Sequence, residues 1–314
     1  MHRKRTRFAA RVSHVASAIE RRGIRGTYEL HDRVLSNRKS RRRFARTPPE
    51  LDAVQGRIVA ELDTQGYAEL PFGELFPSEE EWAAVDAWAE AFVAATERDL
   101  AGEAGGTGEM THRREGKEFV IRRYDRQASM GDDPWFALCQ SRRMLDIANA
   151  YLRMWSKLEY VDLWYTPPVA EAKERVASQH WHRDFQDRSL LKAFLYLVDV
   201  DEGAGPFEYV PGSTGDGPYA SEWPWRPLGT TYPGDEELGE RVPDAAIRTF
   251  TASRGTLIFC NTSGFHRGGF ATERPRVLAT ATYLSPASLA SLTERNYVAD
   301  GREAPDPVVA FALS

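Results

Sequence analysis

Residues 179–184 read Gln179-His180-Trp181-His182-Arg183-Asp184, and the rest of the chain can be interpreted outward from them. In extended backbone, side chains two residues apart point to the same face, so His182 and Asp184 can reach one centre. A histidine, a carboxylate and a second histidine form the facial triad of non-haem iron(II) sites, which leaves coordination positions open. The stretch therefore predicts two of the three ligands of a metal site.

The third ligand is assigned to His266, which lies in the stretch Asn261-Thr-Ser-Gly-Phe-His266-Arg-Gly-Gly. The chain has only seven histidines, and three of them lie in these two stretches, so the pattern carries more weight than an isolated His-x-Asp. His180 shares the strand parity of His182 and is the alternative ligand. In the competing interpretation the histidines are core residues and Asp184 forms a salt bridge.

Most of the chain after Asp184 has the pattern of β-strands. Short strands are predicted at residues 190–200, 256–261 and 277–284. In the first of them the side chains of Lys192, Phe194, Tyr196 and Val198 share one face. Many short strands after a helical portion favour an α+β protein with a sandwich or barrel core, and a jelly-roll leaves a mouth for a ligand between its sheets.

The preceding part of the chain is mainly helical in pattern. Helices are predicted at residues 50–64, 79–99 and 142–155, strands at 67–71, 118–124 and 158–165, and a flexible glycine-rich loop at 101–117. Thr47-Pro48-Pro49 interrupts the chain before the first of these elements. We therefore predict a basic N-terminal extension at residues 1–47 and a single catalytic domain at 48–314.

Charge is divided unevenly between these two parts. Residues 1–46 contain 15 Lys or Arg and three acidic residues, whereas the whole chain has a net charge of −5. A basic segment of this kind, with a helical pattern at Phe8–Arg22, binds nucleic acid, an anionic surface or an acidic partner in some proteins. Few aromatic residues are interleaved with its charges, so base stacking is disfavoured and nucleic acid is not the expected partner. We expect an arm that folds back on the acidic body.

Composition excludes several classes of protein. With 314 residues, of which 42% are hydrophobic, the chain is long enough to bury a sizeable core. No stretch approaches the ~18 apolar residues of a membrane span, and no apolar segment follows the basic N-terminus as in a secretory signal. Cys139 and Cys260 do not make a disulfide framework. A cytoplasmic enzyme with reduced cysteines is the expectation.

A long connection lies between Gly212 and Pro243 and is rich in proline, glycine and aromatic residues. Connections of this length without regular structure tend to be binding loops or lids. Its aromatic side chains either form walls of a substrate site or hold the loop on the barrel. As candidate substrate contacts we name Trp223, Trp225 and Tyr219.

Two segments carry a family resemblance. The run from Trp181 through Asp184 and Lys192 to Pro211-Gly-Ser, and the run from Gly255 through His266-Arg-Gly-Gly to Tyr283, resemble phytanoyl-CoA dioxygenase-type enzymes. These are iron(II)- and 2-oxoglutarate-dependent oxygenases on a double-stranded β-helix. The resemblance spans roughly residues 50–286. It implies a cupin-like jelly-roll barrel with supporting N-terminal helices, and a small-molecule substrate, with a role in secondary metabolism.

The resemblance also implies roles for particular residues. The family pattern has the histidine two residues before the aspartate, which favours His182 over His180 as a ligand beside Asp184 and His266. Iron(II) then works with 2-oxoglutarate, which is decarboxylated to succinate, and with dioxygen. Halogenating relatives have Gly or Ala in place of the aspartate, so Asp184 favours oxygenation, most simply hydroxylation.

The distal carboxylate of 2-oxoglutarate needs a fixed cation, which a guanidinium provides better than an ammonium. Arg276 follows His266 by ten residues and shares strand parity with Thr280, so both are assigned to the co-substrate. Arg274 is the rival but precedes Pro275, outside the strand. Lys192 and Phe194 border the cofactor by resemblance, and otherwise they are a strand-end lysine and a core aromatic residue.

Two other interpretations remain. The pair His180 and His182 also resembles the cupin metal motif, but the positions where cupins have a glutamate are Phe185 and Gln186 here. A non-catalytic barrel that binds nucleic acid or an acidic partner through its basic arm is the alternative function. The triad and Arg276 favour the oxygenase.

Overall fold

The computed structural model describes residues 23, 25–102, 112–113, 119–124, 128–129, 131–169, 175–227, 229, 231–288, 295–298 and 306–314. The helices are α1 (25–33), α2 (Ser36–Arg46), α3 (Ala53–Gln65), α4 (Phe72–Leu75), α5 (Glu79–Leu100), α6 (Pro134–Cys139), α7 (Arg142–Leu152), α8 (Asp235–Gly239) and α9 (Pro307–Leu313). The strands are β1 (Tyr67–Pro71), β2 (His112–Arg113), β3 (Ile121–Arg122), β4 (Ala128–Ser129), β5 (Lys157–Thr166), β6 (Leu190–Tyr196), β7 (Phe207–Tyr209), β8 (Arg248–Phe250), β9 (Thr256–Cys260), β10 (His266–Gly268), β11 (Arg276–Leu284) and β12 (Tyr297–Val298).

Two antiparallel sheets form the barrel. The larger has the strand order β1-β9-β6-β11-β5-β3-β2, and the smaller has the order β10-β7-β8. Aromatic and aliphatic side chains from both sheets pack together, among them Phe194 and Leu278 from the large sheet and Phe207 and Phe250 from the small one. The predicted α+β double-stranded β-helix, a jelly-roll with N-terminal supporting helices, is confirmed.

The alternation of side chains gives the large sheet two different faces. In the register of β11 with β6, Thr280 is opposite Phe194 and Thr282 is opposite Lys192, and all four point between the sheets. The intervening apolar residues point to the other side, where the helices cover them: Leu191, Ala193, Leu195, Ala279, Ala281 and Tyr283. The inner face of this sheet is therefore the one available for polar chemistry.

Local signals account for the ends of the helices. Asp52 accepts a hydrogen bond from the Gln55 amide and the Gln55 side chain returns one, so α3 begins after this cap rather than at residue 50. It ends at Gly66, whose φ of 84° places it in the left-handed region. A Cβ atom there would lie 2.3 Å from Tyr209 Oη, so the helix end and the small sheet approach too closely for any other residue.

Several predicted bounds were wrong. Helix α7 ends at Leu152 rather than residue 155, because Arg153 adopts a left-handed conformation with φ of 57°. The strand predicted at 118–124 is reduced to Ile121–Arg122, and the predicted loop at 101–117 contains strand β2. The rest of that loop, residues 103–111 and 114–117, lies outside the described residues, as does the helical pattern at Phe8–Arg22.

The described part of the basic segment packs on the body. Tyr28 is buried, and its hydroxyl donates a hydrogen bond of 2.8 Å to Asp187 Oδ1. Asn37 Nδ2 donates to Ser285 Oγ at 2.9 Å, and the Arg43 guanidinium lies 4.7 Å from the centre of a ring in α9. The domain boundary at residue 47 stays a prediction, since these contacts show how the segment packs and not where a folding unit ends.

Two further features of the described residues concern composition. Both cysteines are buried and neither forms a disulfide. None of the helices that the structure describes combines the length and the hydropathy that crossing a membrane requires.

Candidate metal centre

Three side chains converge between the two sheets. His182, Asp184 and His266 are buried, and each offers a ligand atom within 4.8 Å of the other two. His266 Nε2 lies 3.7 Å from Asp184 Oδ2, and His182 Nε2 lies 4.0 Å from Asp184 Oδ1. Two imidazoles and one carboxylate in this arrangement are the donor set that suits iron(II).

Backbone pairing sets the positions of the two histidines. His182 and His266 form an antiparallel bridge in which each amide donates to the other's carbonyl at 3.0 Å. Each ring Nδ1 lies within hydrogen-bond distance of a carbonyl two residues earlier, at 2.8 Å for His180 O and 2.9 Å for Gly264 O. A carbonyl can only accept, so Nδ1 carries the proton in each ring and Nε2 keeps its lone pair for a metal.

The carboxylate of Asp184 is held by partners that the sequence did not suggest. Its backbone amide donates to Thr262 O at 2.8 Å, and the Thr262 hydroxyl donates to Oδ2. Lys192 Nζ lies 2.6 Å from the same oxygen. Burial acts to raise the pKa of Asp184, but the charge of Lys192, followed by the interactions with His266 and His182, outweighs it and brings the pKa well below its usual value. Asp184 is therefore a carboxylate at any working pH.

Burial acts to lower the pKa of His266, whereas it acts to raise that of Asp184. Desolvation, followed by the nearby His182, lowers the pKa of His266 to about 3. The imidazole is therefore neutral at physiological pH, which is the form that ligates metals. The protonation states of the carboxylate and of this ring both match those of a metal ligand.

A cavity of about 390 Å³ adjoins the three side chains. Its lining includes all four residues assigned from the sequence to the co-substrate, namely Arg276, Lys192, Phe194 and Thr280. The lining also includes Tyr196, Phe207 and Leu278, so the cavity combines apolar side chains with the polar groups that orient a ligand in small-molecule sites.

Arg276, which lines the cavity, has a buried hydrogen-bond donor that no described residue satisfies. Arg276 is buried, and its Nη1 donates to the carbonyl of Gly205. Its Nε and the hydroxyl of Thr280 are buried and have no hydrogen-bond partner among the described residues. Unsatisfied buried donors are costly, and a carboxylate in the cavity beside Arg276 would satisfy its Nε. The donor set therefore fits the distal carboxylate of 2-oxoglutarate.

Arg274, the rival cation, is arranged differently. Its side chain is 58% exposed and pairs with Asp201. It does not line the cavity. Strand β11 begins at Arg276, so the guanidinium two residues earlier lies outside the ladder.

His180 is not one of the three clustered residues. Its ring is half-buried and lies 6.1 Å from the ring of Tyr232, while its carbonyl accepts from the ring of His182. The residue thus helps to orient the first histidine of the cluster instead of joining the cluster itself.

The three aromatic residues named as substrate contacts lie outside the cavity lining. Trp223 packs edge-on against Phe265 at 5.3 Å, and Tyr219 packs in the same apolar cluster. Trp225 Nε1 donates to the carbonyl of Asp184 at 2.8 Å. These contacts are those of residues that hold the loop on the barrel.

The aromatic residue of this loop that does line the cavity is Tyr232, whose ring lies 6.0 Å from that of His182. Arg183 is a second residue that the sequence reasoning missed. It is buried and donates to the carbonyls of Ser263 at 2.9 Å and Glu222 at 3.0 Å. The sequence did hold one indication of its role, because Arg183 lies between His182 and Asp184 of the motif.

A family model described as Phytanoyl-CoA dioxygenase (PhyH) matches residues 62–277 of the chain. No curated protein sequence gives a significant match.

Solved structures also resemble this one. EctD from S. alaskensis with 2-oxoglutarate and 5-hydroxyectoine is 20% identical, with a TM-score of 0.52 over 82% of this chain and 89% of that chain. The epimerase SnoN in complex with Fe3+, alpha ketoglutarate and nogalamycin RO is 23% identical, with a TM-score of 0.46 over 81% and 93%. HygX from Streptomyces hygroscopicus with nickel, 2-oxoglutarate and hygromycin B is 16% identical, with a TM-score of 0.47 over 75% and 88%. The likeness to EctD shows a shared fold.

Proposed function

The chain belongs to the phytanoyl-CoA dioxygenase family of iron(II)- and 2-oxoglutarate-dependent oxygenases, and from this premise we propose that it hydroxylates a small molecule of secondary metabolism. Dioxygen is the oxidant, and 2-oxoglutarate is the co-substrate that is decarboxylated to succinate. The cavity of about 390 Å³ supports a small-molecule substrate. The presence of 5-hydroxyectoine in the structure of EctD is consistent with a substrate of that kind.

One observation carries the assignment of the metal. His182, Asp184 and His266 bring three ligand atoms together in a buried site, with both ring Nε2 atoms free of the proton. In the proposal these three side chains hold iron(II). Iron(II) held there, with 2-oxoglutarate as co-substrate, would supply the activation of dioxygen.

The other residues of the cavity bind and orient. Arg276 is proposed to bind the distal carboxylate of 2-oxoglutarate, and Thr280 to donate to another part of the co-substrate, because each has an unsatisfied buried donor and lines the cavity. Lys192 fixes the Asp184 carboxylate through its 2.6 Å ion pair, which keeps that oxygen in one orientation. Phe194 borders the site and excludes water from it.

The retained carboxylate favours hydroxylation over halogenation, since Asp184 fills the position that a halide would need. The contacts of α1 and α2 with the body give the described basic segment a structural role. The binding of nucleic acid is therefore not proposed.

The test is an anaerobic spectrum of the full chain with iron(II) and 2-oxoglutarate. We expect a visible charge-transfer band from the chelated co-substrate, followed on exposure to oxygen by formation of succinate. The isosteric variant Asp184→Asn should lose the band while its melting temperature shows that it folds. A wild-type protein with neither band nor succinate formation would overturn the proposal.

A further inference from the structure

A second guanidinium lines the cavity, on a different strand from Arg276. Arg122 of β3 is 8% exposed and belongs to the cavity lining. In the large sheet, Arg122 pairs with Trp164 of β5, and Trp164 pairs with Leu278 of β11. Two strand spacings of ~4.8 Å therefore separate its backbone from the strand that carries Arg276. The two guanidinium groups thus enter one cavity from strands that are not neighbours.

Arg122 has donors to spare. Its Nη1 donates to the Tyr160 hydroxyl at 2.8 Å, and this is its one hydrogen bond to a described residue. Its Nε is buried and has no hydrogen-bond partner among the described residues. The edge formed by Nε and Nη2 is the fork that a carboxylate engages through two parallel hydrogen bonds.

Neighbouring rings hold this guanidinium in place. Its central carbon lies 5.2 Å from the Trp164 ring centre and 5.7 Å from that of Tyr160. The Trp164 indole donates to Asp162 Oδ2 at 3.1 Å, and Tyr160 donates to the same oxygen. A cation stacked on fixed rings loses little freedom when it binds an anion.

Asp162, the acid that shares the Tyr160 hydroxyl with Arg122, is already engaged. Asp162 is fully buried, and its carboxylate accepts from Tyr160, from Trp164 and from the amides of Tyr124 and Leu163. Those four donors use its lone pairs, and the Tyr160 hydroxyl bonds to both Asp162 and Arg122. Arg122 forms no ion pair with any residue that the structure describes.

The geometry points to Arg122 as the binding site for a carboxylate group of the substrate. A singly charged group fits better than a phosphate, because Asp184 and Glu159 line the same cavity and would repel a dianion. This inference rests on the proposed function, since it assigns the substrate class of that same site. The enzyme should therefore select carboxylic acids over their amides.

The probe for this site is benzoate, with neutral benzamide as its matched control. Binding to the full chain is measured by calorimetry in the presence of iron(II) and saturating 2-oxoglutarate without oxygen, so that Arg276 is already occupied. We expect benzoate to bind at least about tenfold more tightly than benzamide, a difference of ~1.4 kcal/mol. The variant Arg122→Gln should lose that preference.

Three results would overturn the assignment: no binding of benzoate by the wild type, equal binding of benzamide, or a preference that survives in Arg122→Gln. Arg122→Lys keeps the charge without the fork, so we expect it to restore part of the preference even if the glutamine variant folds poorly. The charge-transfer band of the wild type with 2-oxoglutarate reports the proposed function separately. Its absence would mean that the oxygenase assignment fails, whatever benzoate does.

Discussion

His266 and Arg276 are carried by strands β10 and β11, whereas His182 and Asp184 lie in the segment 180–189, which forms a single β-bridge and no strand. The strand-borne half of the site is set by sheet register. Its side chains point inward because alternate residues of a strand do so. The other half, which we call the connecting segment, has no such rule to place it.

Hydrogen bonds from distant parts of the chain hold the connecting segment instead. Trp225 and Thr262 bind the backbone and the side chain of Asp184, from 41 and 78 residues away. Tyr28, which precedes Asp187 by 159 residues, donates a hydrogen bond to it. Its ring also packs at a tilt against that of Trp225, with ring centres 5.2 Å apart. Half of the metal site thus depends on the N-terminal helices and the long loop, which carry no metal ligand themselves.

The largest effect is expected where the connecting segment meets the metal. Asp184→Ala removes a ligand and its negative charge, and should abolish oxygenation. Loss of even an outer hydrogen-bond partner of a metal ligand costs ~10–100-fold, so we expect a decrease beyond that range. The measurement is succinate formed per enzyme at saturating iron(II) and 2-oxoglutarate. Asp201→Ala, at an exposed carboxylate, is the control, and full activity in Asp184→Ala would show that the triad is wrong.

On the strand-borne half, the two arginines near the start of β11 should behave unequally. When a buried carboxylate loses a bidentate partner, its binding free energy weakens by ~2–5 kcal/mol. At ~1.4 kcal/mol per tenfold, the affinity falls by a factor of at least about 30. Arg276→Leu should raise the KM for 2-oxoglutarate by that factor. Arg274→Leu removes only an exposed pair with Asp201 and should raise it by a few-fold at most.

Titration of 2-oxoglutarate with both variants, at saturating iron(II), decides between them. If Arg274→Leu were the worse of the two, the co-substrate would bind outside the cavity that Arg276 lines. The assignment of the strand-borne half would then fail as a whole.

The same comparison explains how much of the molecule was predictable from the sequence. The period of two in 277–284 correctly placed Thr280 and Thr282 on the inner face, and Arg276 with them, because one strand has one alternation. The bounds of β1 were predicted to the residue. No local pattern relates Tyr28 to Asp187 or Thr262 to Asp184, since hydrogen bonds between remote residues leave no period in the sequence. For the same reason the sequence left open which loop aromatics line the cavity and which hold the loop on the barrel.

A smaller effect is expected at the contact between the N-terminal helices and the connecting segment. The Tyr28 hydroxyl donates to Asp187 Oδ1 and accepts from the Arg188 amide at 3.2 Å. Tyr28→Phe leaves both groups without this partner, so the free energy of unfolding should fall by ~1–3 kcal/mol. Urea unfolding measures it. Tyr67→Phe, with no recorded hydrogen bond from its hydroxyl to a described residue, is the control and should change stability by less than ~0.5 kcal/mol.

The deficit of Tyr28→Phe, meaning its loss of unfolding free energy relative to the wild type, should depend on pH. Burial raises the pKa of Asp187 from 3.8 to about 6, despite the hydrogen bonds that lower it. The folded protein therefore holds a proton that the unfolded chain releases, and its stabilising contribution is complete below pH 3.8 and lost as the pH rises through about 6. Removal of the Tyr28 donor raises this pKa further, so the deficit of Tyr28→Phe should be larger at pH 7 than at pH 4. An equal deficit at both would mean that the hydroxyl does not act on the carboxylate.

The smallest effect is expected at Tyr219, within the long loop. Its contact with the connecting segment is made by its backbone carbonyl, which accepts from Arg183 Nη2 at 3.2 Å, and Tyr219→Phe leaves that bond intact. Its ring packs in an apolar cluster outside the cavity, so we expect the KM for the substrate to change by less than about twofold and stability by less than ~0.5 kcal/mol. Tyr232→Ala is the matched contrast, because that ring lines the cavity 6.0 Å from His182 and its loss should raise the KM several-fold. If Tyr219→Phe raised the KM and Tyr232→Ala did not, the loop would contact the substrate through the opposite side, and its aromatic residues would belong to the site rather than to its support.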